Sequence, residues 1–134
     1  MPRQSWLSKT VIFGILYAVV GIVLALPTTH VRIWRLTAWA VSAVLYLTHI
    51  GYEQIKLRCA PRLIAFHIAT AVAFGALLLA MSAIVHSLYT PPDYSRWKFA
   101  LALILWPLIT GIPAFVFAFL IALVLRQFSK LEHF

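Results

Sequence analysis

Two histidines and one glutamate carry most of the chemistry that the spacing of this chain allows. His49 and Glu53 stand four residues apart. That is one turn of a helix, so the carboxylate can accept a hydrogen bond from the ring N–H. His67 follows a short connecting segment. If His49 lies one turn inside the end of one helix and His67 one turn inside the start of the next, an antiparallel hairpin brings both rings to one depth. Two histidines and a carboxylate form a zinc or iron ligand set, and two histidines alone can ligate a haem from both sides. Tyr46 and Tyr52 are the candidate partners that would orient the rings. The plainer reading, which we prefer, is helix-end histidines satisfied by water, head groups or a backbone carbonyl. His30 and His86 make a second pair. They lie about 28 Å away along their helices, at the opposite water boundary rather than in a pocket.

A second candidate is a backbone feature, TrpProLeuIleThrGlyIlePro at residues 106 to 113. Pro107 and Pro113 each remove a donor and release the carbonyls of Leu103 and Ile109. Gly111 adds freedom between them. Transporters place binding sites where a helix is interrupted at mid-membrane, so Pro107, Thr110, Gly111 and Pro113 mark a possible transport site. Proline kinks also occur in passive helices, where a residue such as Thr110 satisfies the freed groups. No acid lies at this depth to carry a coupled ion.

Cys59 is the single cysteine, so neither an internal disulfide nor a cysteine-based zinc site can form. Its basic neighbours Lys56, Arg58 and Arg62 are expected to lower its thiol pKa. Serine-hydrolase elbows, paired carboxylates and phosphate-cradling glycine loops are absent, which argues against an enzyme.

These residues must be positioned by elements suited to lipid. Hydrophobic residues make up 63% of 134 and charged residues 10%, and the charges fall between four long apolar runs. A soluble domain this small cannot hide that much apolar surface. The expected fold is an all-α integral membrane protein, a single transmembrane domain over 1–134. It is an antiparallel up-down bundle of four transmembrane helices with short loops, its spans near 7–26, 33–53, 63–86 and 99–125. The first run, with Arg3 and Lys9 ahead of it, is long for a signal peptide and lacks a small-residue cleavage site, so it reads as a retained helix.

The net charge is +8, but the basic residues flank apolar runs instead of forming a stripe, so lipid and not nucleic acid is the expected partner. Arg3, Lys9, Lys56, Arg58, Arg62, Arg126 and Lys130 gather on one side, against Arg32, Arg35, Arg96 and Lys98 on the other. This bias places both termini in the cytoplasm, and the lack of a targeting extension fits a bacterial inner membrane. Trp6, Trp34, Tyr52, Tyr89, Tyr94 and Trp97 fall near the expected boundaries, where amphipathic rings settle.

Small residues mark the packing faces. Gly14, Ala18, Gly21 and Ala25 share one face of the first helix, and Ala69, Ala73, Ala76, Ala80 and Ala83 one face of the third. Either face could serve a homodimer, but packing within the chain comes first. The end, Arg126 to Phe134, continues the last helix along the head groups or frays. Three functional readings follow. The leading one is a structural, accessory or regulatory subunit of a larger membrane complex. A small dimeric transporter or channel built on the kinked fourth helix is the second. A haem- or metal-binding redox protein using His49, His67 and Glu53 is the third.

Overall fold

The computed structural model describes residues 3–89 and 96–131, with side chains over 6–89 and 97–130. The described chain is helical, in the order α1 (Arg3–Ala25), α2 (Val31–Ile55), α3 (Pro61–Leu88) and α4 (Arg96–Leu131). Each helix runs a few residues past its expected span, apart from Leu26, which lies just beyond α1. The extra turns carry the flanking polar residues, because a helix satisfies its own backbone whether or not lipid surrounds it. Tyr94, Glu132 and Phe134, and the side chains of Arg3 and Arg96, lie outside the described residues.

Three helices, α1, α3 and α4, are long and apolar enough to cross a membrane. Large side chains such as Ile12, Phe66, Ile104 and Phe117 stay more than half exposed along them. In water that would be a liability; in a bilayer these are the lipid-facing rows. α2 has the length for a crossing at 25 residues, but a polar stripe of Arg35, Ser42, Tyr46, His49 and Glu53 sets it apart from the other three.

Side-chain pairings fix the helix directions. Gly14 lies against Ala71 and Phe74, and Gly21 against Leu79, so α1 and α3 run parallel. The Lys9–Tyr52 and Phe13–His49 pairs run in opposite order, so α2 is antiparallel to α1. Gly111 meets Ala69 and Ala73, while Ala118 and Ala122 pack with Ile64, Ala65 and Ile68. α4 is therefore antiparallel to α3.

α3 lies between α1 and α4. Lipid is as apolar as a leucine, so the helices gain contact energy only by close approach of their backbones. The small faces supply it. Ala18 is buried, and a methyl group at Gly75 would come within 2.9 Å of the Gly14 carbonyl and the Tyr17 Cβ. Both expected small-residue faces contribute to packing inside one chain, with Ala69 and Ala73 serving α4. A third small row, Gly111, Ala114, Ala118 and Ala122, does the same from α4. Its three- and four-residue steps are visible in the sequence.

Candidate functional site

α2 is attached near its C-terminal end. Its buried residues are His49, Ile50 and Glu53, all in the last two turns. One turn earlier, the Tyr46 hydroxyl donates to the Ala114 carbonyl of α4. The face bearing Leu36, Trp39 and Val44 is open, with Trp39 78% exposed. So the inner part of the polar stripe on α2 turns inward, as lipid offers it no partner. Ser42 is half-buried within it, while Arg35 at its outer end is exposed.

The structure brings His49, Glu53 and His67 together. His67 Nδ1 is 3.0 Å from Glu53 Oε2, and His49 Nε2 is 3.7 Å from Glu53 Oε1. His49 and Glu53 are fully buried and His67 nearly so. The carboxylate sits between two imidazoles, one on its own helix and one brought by α3. Pro61 at the first turn of α3 helps set that register, since its fixed φ suits a helix start and it has no N–H to leave unmet.

α1 closes the cluster with aromatic faces. Phe13 stacks on His49 with ring centroids 3.9 Å apart and planes within 3°. Trp6 stacks on His67 at 4.7 Å and 11°. Stacking fixes each ring plane, and with it the direction of the ring nitrogens. The sequence reading missed both aromatics. Trp6 reads as a boundary residue and Phe13 carries no distinguishing signal in the sequence, and only the register of α1 against its neighbours picks them out. The two tyrosines expected to orient the histidines do other work. Tyr46 bonds to α4, and Tyr52 lies under the Lys9 ammonium, 5.5 Å from its ring centroid.

Several polar atoms here are buried without a hydrogen-bond partner: both ring nitrogens of His49, Glu53 Oε1, Thr10 Oγ1 and the Tyr17 hydroxyl. An orphaned polar atom in an apolar interior costs on the order of 1–3 kcal/mol. The cluster is thus a place where an added proton or a small polar guest finds ready partners. Among the described residues no group of three or more His, Cys, Asp or Glu side chains is arranged to hold a metal ion.

Cys59 corrects an expectation. Its neighbours in sequence are basic, but its surroundings in space are not. Burial raises its thiol pKa first, and the charge of the nearby Glu53 raises it further. The thiol also reaches the Leu57 carbonyl at 3.8 Å.

The remaining candidates lie apart. His30 precedes α2 with φ 55° and is exposed, as is His86 near the end of α3. Pro107 and Pro113 sit inside α4, which continues as one helix through both. The Thr110 hydroxyl donates to the carbonyls of Trp106 at 2.9 Å and Pro107 at 3.3 Å. Gly111 faces α3 and Pro113 faces outward, so the four residues do not converge on one point. No protein-family model, curated protein or solved structure matches the chain.

Proposed function

We propose that this chain is a four-crossing protein of a bacterial inner membrane, with both termini cytoplasmic, acting as an accessory or regulatory subunit whose α2 responds to proton binding at His49, Glu53 and His67. Support for the fourth crossing comes from helix direction. α1 and α3 run parallel and each is long enough to span, so the chain must return between them. α2 is the only helix that joins them, and its 25 residues reach about 37 Å. The excess of Lys and Arg on the side of both termini supports the orientation.

One observation carries the regulatory reading: beside the core residue Ile50, α2 is fastened by a buried acid between two imidazoles. Imidazole is the side chain whose charge changes near physiological pH. The ionisable groups around Glu53 are His49 on α2, His67 on α3 and Cys59 in the turn, with Lys9 of α1 held nearby over Tyr52. A proton added to this set changes the charge balance at the point where α2 is fastened. A switch of this kind needs a bistable element and a titratable lock. The loosely packed outer half of α2 is that element.

Zinc, iron or haem at the same side chains has less support, since the Glu53 carboxylate is engaged as a hydrogen-bond acceptor. Transport through α4 also has less support, since Thr110 bonds within its own helix.

The test is co-purification of the tagged full chain from its native membranes at pH 7.5 and pH 5.5. A stoichiometric partner is expected, its retention differing between the two pH values in the wild type and equal in E53Q. A chain that purifies alone at both values overturns the proposal.

A further inference from the structure

At the end of the bundle that carries the α2–α3 turn, a cavity of about 660 Å³ opens between that turn and the last turns of α4. Arg58 comes to it from the turn and Arg126 from α4, 68 positions later in the chain. Neither guanidinium has an ion-pair partner among the described residues. Between them the wall is formed by Ala60 and Pro61, where α3 begins. The N-terminal end of a 28-residue helix adds its own partial positive charge. Gln54 also lines the cavity. Ile64 supplies an apolar floor. Cys59, in the same wall, keeps its thiol neutral and contributes no negative charge.

We infer that this cavity binds the headgroup of an anionic phospholipid. The phosphate lies between Arg58 and Arg126. Location argues for lipid over a soluble anion. Arg126 follows directly on the apolar run of α4, so the cavity sits at the level where head groups meet acyl chains. Ile55 and Leu63 are exposed on either side of it and offer a surface to the chains. Basic pockets between membrane helices suit phosphate head groups, and guanidinium forks match their oxygens. Two guanidiniums favour a net negative headgroup such as phosphatidylglycerol over phosphatidylcholine, whose choline cancels the phosphate charge.

Arg58 permits a clean test. Its φ of 48° lies in the left-handed region that glycine occupies freely. R58G therefore removes the guanidinium without straining the backbone. Native mass spectrometry of the detergent-solubilised full chain, titrated with phosphatidylglycerol or phosphatidylcholine, reads lipid binding directly. The wild type is expected to retain one phosphatidylglycerol in preference to phosphatidylcholine. R58G and R126A should each weaken that binding about fivefold, while R35A at the other end of α2 leaves it unchanged. Thermal melting of each variant confirms that it is folded. Equal retention of the two lipids by the wild type, or undiminished phosphatidylglycerol binding by R58G together with R126A, overturns the inference. Displacement by millimolar inorganic phosphate overturns the lipid assignment in favour of a free phosphate.

Discussion

Glu53 is the residue around which the rest of the site is arranged. It is fully buried, takes a hydrogen bond from His67 and lies near His49 and Cys59. Removing one member of a buried pair strands the other, and that typically costs about 3–5 kcal/mol when the remaining group is charged. H67A should therefore lower the melting temperature in detergent markedly. E53Q should lower it less, because the amide oxygen can still accept from His67 Nδ1–H. The reverse order would show that the carboxylate does not depend on His67.

Cys59 reports on the same carboxylate. Burial and the Glu53 charge both disfavour its thiolate, so alkylation by a maleimide near pH 7.5 should be slow. Withdrawing the negative charge lowers the thiol pKa, so E53Q should react several-fold faster at that pH. An unchanged rate would separate Cys59 from the cluster. The sequence exposed the cluster itself through the four-residue step and the short turn. It concealed the environment of Cys59, because Lys56, Arg58 and Arg62 are close along the chain while Glu53 is close through the fold.

Among the elements, α3 depends on backbone proximity. At Gly75 an added methyl meets the Gly14 carbonyl and Tyr17 Cβ, both at 2.9 Å, and backbone cannot swing aside. G75A should destabilise the protein by about 1–3 kcal/mol, as overpacking does. G51A is the control, since nothing lies within 4 Å of a methyl there. Comparing their melting temperatures checks this directly. The small residues of α1 and α3 were legible as packing faces. Which helix each face would meet was not, since a row of small residues fits several neighbours equally well. α4 shows another limit. Two prolines and a glycine read as an interruption, yet the helix continues, with Thr110 hydrogen-bonded to the carbonyls of Trp106 and Pro107.

For the molecule as a whole, composition alone pointed to helices in lipid, and three of the four meet that description in the structure. α2 was harder to place because its polar residues lower its apolar character without shortening it. The proposed four-crossing topology makes a plain prediction. Reporters fused to the two ends should appear on the same face of the membrane, and opposite faces would require α2 to lie outside the bilayer. A second check uses Trp39, which is 78% exposed. Brominated lipids should quench its emission in a protein whose other tryptophans are replaced by phenylalanine.

The meeting of Glu53 with His67 also bears on how the polypeptide is made. While the ribosome is still short of residue 67, α2 has been synthesised without the α3 imidazole that its acid needs, and α1 offers α2 the Phe13 ring and the Lys9 ammonium. A helix this polar partitions into the translocon's lipid exit only weakly by itself. Nascent chains cut before α3 should therefore leave a reporter placed after α2 on the non-cytoplasmic face, and chains extended through α3 should return it to the cytoplasmic face. Integration of the second helix would then be a post-dated event, completed by a segment that emerges after it.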